Sequence, residues 1–407
     1  MQQIYNMEET RDIISRPIYT DRIRPYIGTG LIKVLTGQRR VGKSYILKAV
    51  ARDIAESDPE ANIININLED FAFAHITDAV TLHSEIASRL KEGRRNCIFI
   101  DEVQEVDGFD KVVRSLALDT HNDIYLTGSN SKMLSAEIAS RLAGRSVRIH
   151  VHPLCYQEFL RFHSLDDSDD SLDLYLRYGG LPYLVNLPDK NTWAEYISGV
   201  TDTVVYRDVV SRHSLRNTDF LQRLLMFLAD NTGQLFTAKR IADYLKSQRV
   251  SSSVSGVLSY VGYMEDAYII NRVNRWDIEG RRLFEVGEKI YFEDCGIRNS
   301  IVGYRPDDIG GLMENAVYNH LAVQGYKVKV GVLPQGKEID FVAEKGNEYR
   351  YIQVSVTVAA EETAAREFGN LAKIPDNYEK TVVTLRESAP NTKDGIRLQT
   401  LRAFLTI

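Results

Sequence analysis

A chain of 407 residues, 44% hydrophobic and 26% charged, exceeds what one hydrophobic core supports and has the composition of a multidomain globular protein. Its formal net charge of −6 excludes wholesale coating of nucleic acid, while leaving room for a local basic face. Cys97, Cys155 and Cys295 are too few and too far apart for a disulfide framework, and no run approaches the roughly 20 apolar residues that cross a bilayer. With an N-terminus that lacks the apolar core of a signal peptide, a cytoplasmic protein without membrane partners is expected.

In chain order, residues 31–35, 63–68, 97–100, 124–127 and 147–151 read as short buried strands. Segments with helical spacing lie between them, as in Ile46, Leu47, Val50 and Ile54. Strands separated by helices predict an α/β fold, a parallel sheet with helices on both faces. The acidic stretch at 163–174, containing LDDSDDSLD, is expected to be an exposed loop. Residues 173–216 have a helical pattern broken by Gly179-Gly180-Leu181-Pro182. Two amphipathic helices, AKRIADYLKS and SVSGVLSYVGYME, follow within 237–266, joined by a Ser-rich turn. A β-like stretch at 268–276, a charged turn at 277–282 and a short strand at 283–286 complete the layout of a winged helix. From about Gly311 the order is helix, three strands, then a mixed pattern.

The residues Gly37-Gln38-Arg39-Arg40-Val41-Gly42-Lys43-Ser44 match G-x-x-x-x-G-K-[ST], after a predicted strand and at the head of a predicted helix. Glycines let successive N–H groups converge on one centre, and the helix N-terminus adds partial positive charge to that anion nest. Lys43 is expected to reach the β/γ-phosphates of ATP and the Ser44 hydroxyl to hold Mg²⁺; with Tyr45 these residues form the expected nucleotide-binding set. The strand Cys97-Ile98-Phe99-Ile100 ends in Asp101 and Glu102. Asp101 is expected at the metal and Glu102 as the residue that polarises water, a pairing that favours hydrolysis. The next strand ends in Thr127-Gly128-Ser129-Asn130, where Ser129 or Asn130 is a candidate γ-phosphate sensor. Arg141 and Arg145 are candidate arginine fingers, in their own subunit or a neighbour's. His150 and His152 share a strand face, but no third metal ligand lies at useful spacing, and they are read as ordinary strand residues.

GQRRVGKS, FIDEVQEV, LTGSN, SRLAGRSVRI and YGGLPYL together resemble bacterial and archaeal AAA-type P-loop ATPases that carry a C-terminal domain of unknown function. The resemblance implies an ATPase core at 1–160 and a helical lid at 161–225, with Gly179, Gly180 and Pro182 in the lid's Gly-Gly-x-Pro element. It also implies a winged helix at 226–300, which would turn Arg249 and Ser251, Ser252 or Ser253 toward a DNA groove. Residues 301–407 resemble the PD-(D/E)xK nuclease-like fold, with Glu314 on a helix and Glu338, Asp340, Gln353 and Ser355 on strands. Gln353 stands where that pattern has an acid and Ser355 where it has the lysine, which favours a retained fold over cleavage.

The expected function is Mg²⁺-dependent ATP binding and hydrolysis whose nucleotide state rearranges the C-terminal domains. The alternatives are a nucleotide-switched protein that binds duplex DNA and a metal-dependent nuclease regulated by an ATPase. A protein partner and an oligomer are both compatible with the sequence.

Overall fold

The computed structural model describes residues 13–128, 142, 144–280, 282–386 and 392–407. The chain divides into two compact units, Met1–Val151 and His152–Ile407.

The first unit is built on strands β1 (Ile32–Thr36), β2 (Asn62–Asn67), β3 (Asn96–Asp101), β4 (Asn122–Gly128) and β5 (Ser146–His150). They form a fully parallel sheet in the order β2-β3-β4-β1-β5. Helices α1 (Pro17–Ile23), α2 (Lys43–Ser57), α3 (Ala79–Ala87) and α4 (Phe109–Leu116) accompany it. The period of two along each strand distributes side chains to both faces. Ile32, Val34, Ile98, Ile100 and Leu126 join one apolar cluster, while Leu35, Cys97, Phe99 and Tyr125 join another with Ile46 and Val50 of α2. Burial on both faces explains why the central strands β1, β3 and β4 are buried along their length. Lys33 interrupts the pattern: it is fully buried, and its ammonium pairs with Asp123 of β4 over the Tyr125 ring.

The second unit opens with helices α5 (Tyr156–His163), α6 (Asp169–Tyr178) and α7 (Lys190–Thr203), the last continuing as a π-helical segment over Val204–Ser211. Next come α8 (Thr218–Asp230), β6 (Leu235–Phe236), α9 (Ala238–Ser247), α10 (Val254–Asp266), β7 (Ile270–Asp277) and β8 (Arg282–Phe292). The C-terminal part adds α11 (Cys295–Val302), α12 (Ile309–Val323), β9 (Lys327–Val332), β10 (Glu338–Lys345), β11 (Glu348–Ser355) and α13 (Glu361–Ala372). It closes with β12 (Glu379–Thr384), β13 (Thr392–Lys393), β14 (Ile396–Thr400) and α14 (Leu401–Leu405). All nine strands share one sheet, ordered β13-β14-β12-β11-β10-β9-β7-β8-β6. The join is a parallel pairing of β7 with β9, through Arg275 with Val330, Trp276 with Gly331 and Asp277 with Val332.

Two expectations change here. The acidic stretch is only partly a loop, because Ser168 accepts the Ser171 N–H and starts α6, with Asp169 and Asp170 in its first turn. Acids there complement the positive end of the helix dipole, so the same charges that suggested solvent stabilise a helix. The strand expected at 283–286 runs on to Phe292, because Lys289 inside it is neutralised by tertiary partners. The Gly-Gly element has a steric cause. A Cβ on Gly180 would lie 2.2 Å from the Leu154 carbonyl oxygen, and Gly179 holds φ of +72°. Gly180 also donates its N–H to Asp294 at 2.7 Å.

Candidate nucleotide site

The phosphate loop leaves β1 at Gly37, whose φ is +140° and whose added Cβ would meet the Val151 carbonyl oxygen at 2.2 Å. Any side chain there would displace the loop or the strand beside it. Arg40 (φ 68°) and Gly42 (φ 93°) also occupy positive-φ conformations, which turn the loop back over the head of α2. Gly42 is the N-cap of α2 and supplies no capping side chain, so the first-turn N–H groups are left for an outside acceptor. This is the fit expected for an anionic phosphate.

Lys43 is buried, and its ammonium donates to the carbonyls of Gly37 at 3.0 Å and Gln38 at 2.9 Å. The loop is fastened from outside the motif: Arg16, ahead of α1, donates to the Val41 carbonyl at 2.8 Å and lies 4.5 Å over the Tyr19 ring. Arg39 pairs with Glu69 at 3.4 Å. Tyr45 points outward and is 58% exposed, with the Lys48 ammonium 5.6 Å from its ring.

The strand-end acids come to the same place. The Asp101 carboxyl is hydrogen-bonded by the Ser44 and Thr127 side chains. Burial pushes its pKa up, those two hydrogen bonds oppose the rise, Glu102 adds to it and the Lys43 charge opposes it. Glu102 is buried and left-handed, with φ 55° and ψ 45°. Its N–H donates to the Thr127 hydroxyl at 2.9 Å, and the Gln104 amide donates to its carboxylate. Lys43, Ser44, Asp101 and Glu102 are therefore brought together around one loop.

Thr127 and Gln104 were not among the sequence candidates. Thr127 is fully buried at the end of β4, accepting from the Glu102 backbone and donating to the Asp101 carboxylate. Its signal lay in register: β3 and β4 pair as far as Ile100 with Leu126, so the next residues are Asp101 and Thr127. Arg145 is not brought to the site. It is exposed, and its carbonyl accepts the Ile32 N–H at 2.8 Å, at the opposite end of β1 from Gly37. Ser129, Asn130 and Arg141 lie outside the described residues.

In the second unit, Glu314 of α12, Asp340 of β10 and Gln353 of β11 also converge, the Asp340 N–H donating to the Gln353 side chain at 3.4 Å. Glu338 pairs instead with Arg275 at 3.1 Å, and the Ser355 hydroxyl donates to the Thr357 carbonyl at 2.9 Å. His152 meets Glu293 at 2.7 Å.

A parallel sheet with a phosphate loop after β1 and acids at the end of β3 defines a P-loop ATPase of the AAA type. Residues 29–160 match the AAA domain family, and residues 169–308 and 309–404 each match a domain of unknown function. The chain belongs to this family of AAA-type P-loop ATPases with C-terminal domains of unknown function. It is 34% identical to an uncharacterized protein of Haemophilus influenzae over 396 residues, covering 96% of this chain and 98% of that one. It is 32% identical to an uncharacterized protein of Methanocaldococcus jannaschii, covering 72% and 67%. A Walker-type ATPase of Pyrococcus abyssi matches in structure at 16% identity and a TM-score of 0.49, covering 72% of this chain and 97% of that one. Among the described residues no helix is long and apolar enough to cross a membrane.

Proposed function

We propose that this protein binds ATP with Mg²⁺ and hydrolyses it, and that its nucleotide state rearranges the winged-helix and nuclease-like elements of the C-terminal part. The observation that carries this reading is the Ser44–Asp101 hydrogen bond, which joins the phosphate loop to the acidic strand end. The uncapped amides of α2 and the Lys43 ammonium bind phosphate. Lys43 exchanges its two carbonyl partners for phosphate oxygens, which keeps the buried charge compensated. Ser44 and Asp101 would hold Mg²⁺, which supplies charge neutralisation on the phosphates when bound. Glu102, held by Gln104 and by its N–H bond to Thr127, orients and deprotonates water.

Steady-state phosphate release from Mg·ATP tests the assignment. Lys43→Ala should abolish binding or turnover. Glu102→Gln should keep ATP bound and lower turnover by about 10²-fold or more. Unchanged hydrolysis by Glu102→Gln would remove the assigned base.

A second reading, nucleotide-switched binding of duplex DNA, is favoured by the exposure of Lys239, Arg240, Lys246, Arg249, Ser251 and Ser253 on α9 and the turn before α10. Helix α10 itself carries no Lys or Arg, so phosphate contacts fall to α9 and that turn. Salt-sensitive duplex binding that changes with nucleotide would support it, and turnover and binding indifferent to DNA would favour a protein partner.

A further inference from the structure

Lys289 stands in the middle of β8, on the hairpin side of the junction between the two domains of unknown function, and is 5% exposed. Its ammonium lies 2.9 Å from a Glu314 carboxylate oxygen and 2.9 Å from an Asp340 carboxylate oxygen. Both acids belong to the segment across that junction. The remaining bonds close around them: the Tyr291 hydroxyl donates to Glu314 at 2.9 Å, and the Val354 N–H donates to the other Asp340 oxygen at 2.9 Å. A third acid, Glu367 of α13, is 3% exposed, and its Oε1 accepts from the Arg366 guanidinium at 2.6 Å. Burial pushes the Glu367 carboxyl pKa up, its Arg366 hydrogen bond opposes the rise, and the charge of Asp340 adds to it. Buried carboxylates that remain ionised are stabilised by a cation in hydrogen-bond contact, as Lys289 is for Glu314 and Asp340.

We propose that Lys289 is the permanent cation of this pocket, its ammonium filling the place a divalent ion would take and tying the β7–β8 hairpin to the C-terminal domain. Burial by itself would lower the Lys289 pKa, but the charges of Asp340 and Glu314 outweigh it and hold the pKa above the usual lysine range. The two carboxylates therefore favour the charged ammonium. The Glu314 pKa is also raised: burial first, then Asp340, push its carboxyl up, and Lys289 only partly restrains it. One ammonium is thus shared by two buried acids. In this state the carboxylates serve as a joint between two segments, closed to metal, and this assignment stands apart from the nucleotide reading.

The test uses the full chain. Thermal melting of the native protein should be the same after EDTA treatment and after return to millimolar Mn²⁺. Lys289→Met should melt roughly 6 °C or more below it, because it strands two buried carboxylates. Added Mn²⁺ or a further Asp340→Asn substitution should restore part of that loss. If Lys289→Met does not fold, native protein still decides the matter through its reaction with an amine-acylating ester, read peptide by peptide. Lys289 should be acylated at least about tenfold more slowly than exposed Lys111, since it reacts only through local opening. A loss of stability to EDTA that survives Asp101→Asn, an unshifted Lys289→Met, or a readily acylated Lys289 would each overturn the proposal.

Discussion

Thr127→Val removes one hydroxyl and nothing else of consequence to volume, which makes it the sharpest probe of how the strand ends are held. In the native chain Thr127 Oγ accepts from Glu102 N–H at 2.9 Å and donates to Asp101, all within a fully buried setting. The valine methyl leaves a buried N–H unmet and deprives Asp101 of one of its two side-chain donors. An unsatisfied buried group costs about 1–3 kcal/mol, so the pair should lower stability by about 2–4 kcal/mol. That corresponds to a fall in Tm of roughly 5–10 °C for a unit of this size. A purely structural threonine would stop there. If Thr127 also positions the strand-end acids, kcat for ATP hydrolysis should fall by about tenfold to a hundredfold, one factor of ten for each 1.4 kcal/mol of lost transition-state stabilisation. The Mg²⁺ concentration for half-maximal rate should rise with it, and Thr127→Ser should restore both. Melting and phosphate release measured on the same preparations separate the two roles. A Thr127→Val protein that melts early but keeps native kcat and Mg²⁺ dependence would refute the positioning argument.

Gly37→Ala should abolish nucleotide binding, because its Cβ would fall 2.2 Å from the Val151 carbonyl oxygen at a φ of +140°; a fluorescent ATP titration checks this. Gly180→Ala places a Cβ equally close to the Leu154 carbonyl and should destabilise His152–Ile407 by about 2–4 kcal/mol, read by chemical denaturation. His320 is buried against Phe404 with Nδ1 lacking a partner, and burial, aided by the Arg350 charge, lowers its pKa to about 4. Between pH 6.5 and about 4 the unfolded chain takes up a proton that the folded chain refuses, so stability falls as pH drops, by about 3 kcal/mol in all. Above pH 6.5 the residue contributes no slope, and His320→Gln should flatten the pH dependence of melting in that window.

The ATPase core was legible because its central strands are buried on both faces, which leaves apolar runs such as Cys97-Ile98-Phe99-Ile100. The phosphate loop was legible because its glycines answer to backbone angles rather than to distant partners. Thr127 escaped notice because its role depends on strand register, which joins it to a residue 26 positions earlier. Lys289 escaped for the same reason at greater range: Glu314 and Asp340 lie 25 and 51 residues away, and locally Lys289 is one charge among Glu285, Glu288 and Glu293. The start of α6 has a sequence signal in Ser168, a recognisable N-cap, but the acid run beside it carries the charge of a solvated loop.

The parallel seam between β7 and β9 bears on how the chain can be divided. Families separate at residues 308 and 309, yet a chain cut there would leave β7 paired only with β8 and β9 only with β10, each with one uncovered edge. Each raw margin would present a row of unpaired amides and carbonyls, a template for indiscriminate strand addition. Neither half is therefore an independent building block. Expressed apart, they should self-associate, and mixed together they should recover by finding one another.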